Sequence, residues 1–252
     1  MENKTMFEEL ADWQSERLGK ITASEIHKIM KSGRGKDEYF GQTALSYLDE
    51  KIAEIITGVP CKDLTGMNAI EWGNAHENEA IMALEEKTGL QVEYFGGANP
   101  KFFPFNSFSG GSPDGIADEY VVEVKCPYNS GVHAKNLIAS LSGKGNEWLQ
   151  KHREEYFFQV QFNIMCCKRD KALFISYDPR PTEEKHRLAI MEIFKDETIC
   201  SLIAERLQNA GEIVKQSIDL LYRDNIALAH YDTQLGATIV ESEISLSKLK
   251  KI

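Results

Sequence analysis

"GGSPDGIADEYVVEVKCP" (residues 110–127) reads as a β-hairpin that carries charge where a strand should be apolar. Val121, Val122 and Val124 suit a pleated, half-buried surface. Side chains alternate along a strand, so Glu123 and Lys125 share one face and Val122 and Val124 the other. With Asp118-Glu119 as a two-residue loop, the antiparallel register sets Asp114 opposite Glu123. Ala-Asp-Glu-Tyr is a poor tight-turn sequence, so that register is conditional on the loop. Two carboxylates facing each other across a ladder repel. A divalent cation between them would remove the conflict.

The chain has 252 residues, enough to bury a substantial core, and its 42% hydrophobic and 27% charged content is that of a globular protein. No apolar run approaches the roughly 20 residues that span a bilayer. "MENKTMFEEL" lacks the basic start and apolar stretch of a signal peptide, so a cytoplasmic location is expected. Five irregularly spaced cysteines argue against a disulfide framework or a zinc site, and Cys166-Cys167 read as buried small hydrophobes. A net charge of −10 does not advertise a nucleic-acid binder. Residues 17–36 depart from it: Arg17, Lys20, Lys28, Lys31, Arg34 and Lys36 face Glu25 alone. From charge alone, a solvated helix face explains that run equally well.

Thr22-x-x-Glu25 has the form of a capping box and predicts a helix from about Ala23. Helices are also expected over about 42–57, over 68–87 with Gly89 closing it, and over about 131–140. "LSGKGNEW" reads as a polar loop, and "EEYFFQVQFNIMCC", apolar nearly all round, as a buried helix. Strands are expected in "LQVEYF", "KFFPFNSFSG", the hairpin, "KALFISYD" and "HRLAIMEIF", with a helix from Asp196 to about Tyr222. The fold class is α/β (α+β), a central mixed β-sheet flanked by helices.

The helix over 68–87 supplies a third carboxylate. Ile70, Gly73, Glu77, Ala80, Ile81 and Leu84 fall on one stripe, with Glu77 in the middle of its apolar face. A bare buried carboxylate is too costly, so Glu77 must be neutral, ion-paired or metal-bound. Asp114, Glu123 and Glu77 with Lys125 make a hard-oxygen site beside a cation, which favours Mg²⁺ or Mn²⁺ over zinc. Such a site suits hydrolysis of a phosphodiester, with Lys125 orienting water or stabilising charge on the phosphate.

"SPDG" followed by "VEVK" resembles the PD-(D/E)xK nuclease motif. "RLGKITASE", "EWGNAHENEA", "GSPDG", "EVKCP", "QVQF" and "YDPR" are similar, in order and spacing, to the lambda exonuclease and YqaJ-type phage recombination exonucleases. The resemblance spans roughly residues 13–195 and implies a restriction-endonuclease-like core. It implies that Asp114, Glu123 and the Val124 carbonyl hold the metal, and that Glu77 is the helix carboxylate at the same centre. Lys125 would be the catalytic lysine and Gln159 the glutamine that holds the site. Arg17, Ser24 and Arg34 would form the pocket for a terminal 5′-phosphate, together with Ser112 beside the catalytic Asp114. Ile70 would be a wedge that parts the end base pair; an ordinary core isoleucine explains it equally well.

On this reading residues 1–225 form one nuclease domain, with a helical part over 1–90 packed on a sheet core over 91–195. Residues 226–252 form an extension with no assigned role. The expected function is a Mg²⁺-dependent 5′→3′ exonuclease (Mn²⁺ substituting) acting on double-stranded DNA ends and leaving 3′ overhangs. The resemblance further implies a homotrimer, a single-strand annealing protein as partner, and a phage or prophage origin in a bacterial host. Two alternatives stand beside it: an endonuclease of the same fold, and a non-catalytic single-strand binding or annealing protein.

Overall fold

The computed structural model describes residues 6–35, 38–61, 68–97 and 99–227. Helix α1 (Met6–Arg17), which has no counterpart among the expected elements, leads into the two-residue strand β1 (Ile21–Thr22). The helix expected after Thr22 is a 3₁₀ helix over Ala23–Met30, and its capping box is not formed. The Thr22 N–H that Glu25 would have satisfied already donates to Tyr47 Oη at 3.3 Å, and Glu25 pairs with Lys28 instead.

Helices α2 (Gln42–Thr57) and α3 (Asn68–Thr88) lie where the apolar spacing puts them. Gly89, at φ +74°, closes α3 in a left-handed conformation and donates its N–H to the Glu85 carbonyl at 2.8 Å. Five strands follow: β2 (Glu93–Tyr94), β3 (Phe103–Asn106), β4 (Ser109–Gly111), β5 (Gly115–Ala117) and β6 (Tyr120–Lys125). Next come α4 (Ser130–Leu141), α5 (Gly145–His152), α6 (Glu154–Cys167), β7 (Lys171–Tyr177), β8 (Leu188–Phe194) and α7 (Glu197–Ala227). Helix α5 replaces part of the loop expected in "LSGKGNEW". Its Leu149 is fully buried with Phe157 and Met191 and Trp148 packs against the same cluster, so two apolar side chains anchor an otherwise polar helix. Most of the extension over 226–252 lies outside the described residues, which end with α7.

The strands form two sheets rather than one. A three-stranded sheet has the order β1-β4-β3, and a five-stranded sheet has the order β2-β5-β6-β7-β8. The larger is mixed as expected, antiparallel throughout except for the parallel pair β6–β7. Helix α3 covers one face, packing Ala80, Ile81 and Leu84 with Val122, Val124 and Ile175. Helix α6 covers the other, where Phe157, Val160 and Ile164 meet Val121 and Phe174. Strand β6 is thus buried on both sides. A third apolar cluster joins the 3₁₀ helix, α2, α6 and α7 through Ile26, Leu48, Phe162 and Leu207. Cys166 is buried as its apolar setting predicts, whereas Cys167, at the end of α6, is only half-buried.

Candidate active site

Gly115 pairs with Val122, Ile116 with Val121 and Ala117 with Tyr120, so the loop is the two-residue Asp118–Glu119. Asp118 adopts φ +48°, which a short polar side chain tolerates. The expected register therefore holds within the ladder, but Asp114 stands one residue beyond it. Its N–H reaches the Val122 carbonyl at 3.1 Å, and its carboxylate Oδ2 accepts the Val124 N–H at 2.6 Å. Asp114 thus caps the open end of the hairpin instead of facing Glu123 across it.

Glu123 is 1% exposed, buried under α6 rather than set on an open hairpin face. Three donors explain why a strand this apolar tolerates an acid. Oε1 accepts from Lys125 Nζ and from Gln159 Nε2, each at 2.5 Å, and Oε2 accepts from Asn163 Nδ2 at 2.9 Å. Gln159 is the glutamine expected here, whereas Asn163 is new. It follows Gln159 by four residues, one turn along the same face of α6, and an amide recurring at that spacing in an apolar helix is a readable signal. Asn163 Oδ1 packs against Gly111, where a Cβ would stand only 2.2 Å away.

Glu77 lies on α3 one turn before buried Ala80 and Ile81, as its stripe predicts. Tyr94, from β2, hydrogen-bonds its carboxylate, and both side chains crowd Gly96, where a Cβ would approach Glu77 Oε1 to 2.3 Å. Burial raises the Glu77 pKa, and Glu123 adds to the rise against the opposing pull of Tyr94 and Lys125. Burial, then Glu123 and Glu77, raise Asp114 well above its ordinary value. Lys125 is pulled down by burial, but Glu123 and Asp114 outweigh this and raise it. Even the Cys126 thiol is pushed up to about 12, by burial first and then by Glu77 and Asp114. The field at this end of β6 is strongly negative.

A cleft of about 540 Å³ opens here, lined among others by Glu77, Asp114, Val124, Lys125 and Tyr128. Glu123 lies behind Lys125, outside that lining. Among the described residues no three His, Cys, Asp or Glu side chains gather into a metal cluster. The expected three-carboxylate set is therefore not assembled around one point, because Glu123 is turned toward Lys125, Gln159 and Asn163. The remaining donors still fit Mg²⁺, which takes one or two carboxylates and completes its shell with water. Asp114, Glu77 and Val124 line the cleft beside Lys125, so its hard donors are oxygens, while burial keeps the neighbouring Cys126 a thiol.

The expected phosphate pocket is partly assembled. Trp13 Nε1 donates to Ser112 Oγ at 3.1 Å, and the Arg17 guanidinium lies 4.3 Å over the Trp13 ring. Arg17 is half-buried, and burial lowers its pKa. Trp13 was not anticipated; its place one helical turn before Arg17 is the signal that could have found it. Ser24 is exposed at the start of the 3₁₀ helix, 3.3 Å from Thr22 Oγ1, just after β1 pairs with β4. Arg34 is exposed on the following loop and shares no hydrogen bond or ring contact with the other three among the described residues. The basic run over 17–36 is partly neutralised, since Lys28 pairs with Glu25 and Lys31 with Glu154. Ile70 lies in the first turn of α3, but its side chain is outside the described residues, so the wedge has no structural account.

Residues 12–170 match the YqaJ-like viral recombinase domain. The chain belongs to that family. None of the curated proteins compared with it matches. Among solved structures it is similar to an alkaline exonuclease from Laribacter hongkongensis, at 24% identity and a TM-score of 0.69 over 86% of this chain and 99% of that one. The same enzyme in complex with dAMP gives 25% identity and 0.69 over the same shares. A phage related exonuclease from Haemophilus somnus gives 20% identity and 0.63 over 80% of this chain and 96% of that one. The fold is accordingly the PD-(D/E)xK core expected from "SPDG" and "VEVK". Family and fold together support a deoxyribonuclease that acts in recombination. Among the described residues no helix is long and apolar enough to cross a membrane.

Proposed function

We propose that the chain is a Mg²⁺-dependent 5′→3′ exonuclease that degrades one strand of duplex DNA from 5′-phosphorylated ends and leaves 3′ overhangs. The observation that carries this is the set of Glu77, Asp114 and Lys125 in one cleft, backed by the fully bonded Glu123. Asp114 and the Val124 carbonyl would hold the ion, with Glu123 behind them fixing Lys125; when bound, the ion supplies a Lewis acid beside the scissile phosphate. Lys125, kept protonated by Glu123 and Asp114, donates to a phosphoryl oxygen where charge builds. Glu77, with a raised pKa and a hydrogen bond from Tyr94, is placed to accept a proton from the attacking water. Gln159 and Asn163 keep Glu123, and through it Lys125, in position.

Arg17, Ser24, Arg34 and Ser112 would bind the terminal phosphate, Arg by a two-pronged grip. The Laribacter relative was solved with dAMP, and for this chain release of deoxynucleoside monophosphates from an end is expected. The overhang would pass to a single-strand annealing protein in the cytoplasm of a bacterial host carrying the phage or prophage gene. One observation favours an endonuclease of the same fold: among the described residues Arg34 shares no hydrogen bond or ring contact with Arg17 or Ser112. Digestion of end-labelled duplexes in Mg²⁺, with and without a 5′-phosphate, decides. Early release of 5′ label as mononucleotide, faster from phosphorylated ends, supports the exonuclease. Internal cuts in closed circular duplex support the endonuclease.

A further inference from the structure

Tyr128 lies at the mouth of the cleft that holds Glu77, Asp114 and Lys125, and it is 55% exposed. Single exposed aromatics are common and mean little alone. This one is braced. Its ring stands edge-on to Trp72, with centroids 5.8 Å apart and planes at 83°. Trp72 is itself packed against His76 at 4.2 Å and covered on another side by the Arg180 guanidinium at 4.5 Å.

Arg180 also fixes the backbone that carries Tyr128. Its Nη1 donates to the Tyr128 carbonyl at 3.0 Å and its Nη2 to the Pro127 carbonyl at 3.2 Å. Its position is set by a two-pronged pairing with buried Asp178, at 2.7 and 2.9 Å. With most of its N–H groups engaged, this arginine is a brace for the loop rather than a phosphate ligand. What remains outward is one rigid aromatic ring, three residues beyond Lys125.

We propose that Tyr128 is a stacking platform for the nucleobase adjoining the scissile phosphate. The proposal rests on the nuclease reading and deepens it. A base can stack on an aromatic face whatever its identity, which suits an enzyme that must accept every sequence. The Trp72–Arg180 brace means that the ring is already ordered when DNA arrives, so little ordering remains to be done on binding. Tyr128 acts on substrate position and leaves proton transfer to Glu77 and Lys125.

The test uses duplexes with 5-iodouracil at the first or second nucleotide from a phosphorylated 5′ end, irradiated with the full chain in EDTA so that no turnover intervenes. The cross-link should fall in the tryptic peptide 126–135 and vanish in Tyr128→Leu. In Mg²⁺, Tyr128→Leu should raise KM about ten-fold with kcat within about two-fold, the loss expected of one stacked base. Tyr128→Phe should behave as wild type. Should the leucine variant melt early, Tyr128→Trp provides a second arm, with an expected KM at or below wild type. A cross-link confined to other peptides, or a wild-type KM in Tyr128→Leu, overturns the platform while leaving the nuclease reading intact. Failure of the wild-type protein to digest duplex in Mg²⁺ overturns the nuclease reading itself.

Discussion

Lys125 Nζ meets Glu123 Oε1 at 2.5 Å, the lysine lying two residues beyond the acid on the same face of β6. This pairing decides what Lys125 can do. Although burial pulls its pKa down, Glu123 and Asp114 raise it on balance, so it remains an ammonium across the working pH range. It is therefore a donor and not a base. Lys125→Met should lower the single-turnover rate on the order of 10²-fold, with substrate affinity little changed. Wild-type rates in that variant would remove Lys125 from the chemistry.

The buried acid itself should behave differently. An acid on an open hairpin face could be replaced without harm to the fold, but three donors converge on Glu123 beneath α6. Glu123→Ala leaves a half-buried ammonium and two buried amides without their acceptor, at a cost of about 2–4 kcal/mol. Asn163→Ala removes one donor and should cost about 1–3 kcal/mol. Urea denaturation checks both. If Glu123→Ala matched wild-type stability, the hydrogen-bonded core of the site would be misdescribed.

Metal and pH should act together. Asp114 and Glu77 have carboxyl pKa values raised, by burial first and then by neighbouring acids. A carboxyl raised in the folded state binds protons that the unfolded chain has released. Without metal, its stabilising contribution is therefore full below the ordinary values of 3.8 and 4.5 and lost as pH rises through the raised ones. An ion that holds the deprotonated acids should offset that loss. The stabilisation conferred by Mg²⁺, read as a rise in Tm, should be negligible near pH ~4 and grow with pH, approaching about 2.7 kcal/mol in free energy at a hundred-fold excess over Kd. Ca²⁺ should also raise Tm without supporting digestion, its longer bonds misplacing water and phosphate. A Tm indifferent to Mg²⁺ at every pH, or digestion undiminished in excess EDTA, would count against a metal at this site.

End recognition should depend on a residue far along the chain. Arg206, buried on α7, donates to the Ile29 and Tyr39 carbonyls at 2.9 and 3.1 Å and to Ser32 Oγ at 2.7 Å. It thereby ties down both ends of the loop that carries Arg34. Arg34→Ala should shrink the preference for 5′-phosphorylated over 5′-hydroxyl ends several-fold while leaving cleavage of hydroxyl ends close to wild type. Arg206→Met should shrink the same preference and also lower stability, because it strands two carbonyls. Paired rates on the two kinds of end measure this, and an unchanged ratio in Arg34→Ala would take Arg34 out of the pocket.

How legible each feature was follows from where its determinants lie. Helices α2 and α3 announce themselves through local apolar spacing, and Gly89 stops the second. The β5–β6 register could be read from alternation and loop length alone. The second sheet could not, because β1 pairs with β4 across nearly ninety residues and each is only two or three residues long. Helix α5 hides behind a polar composition that Leu149 and Trp148 override. At the site, Glu77, Asp114, Glu123 and Lys125 were visible as charges in apolar surroundings. Of the two amides on α6 that serve Glu123, Gln159 lies in the "QVQF" block that carries the resemblance, whereas Asn163 lies just past it and a neutral amide alone draws little attention.

Assembly is the remaining prediction, and it starts from charge. The chain carries 29 basic and 39 acidic residues, so a monomer would be repelled by duplex DNA unless its basic side chains faced the path of the DNA. Within the basic run over 17–36, Lys28 and Lys31 are already engaged in ion pairs. The family resemblance implies a ring of three subunits, which would bring three such sets around one duplex and turn the acidic excess outward. A closed ring needs two different, matching faces on each subunit, so the contacts run head to tail. Light scattering should give three times the chain mass. Digestion begun on one duplex should continue after a trap of unlabelled duplex is added, because an encircled substrate cannot leave sideways. A stable monomer that remains processive under that trap would defeat the ring and leave the catalytic assignment standing.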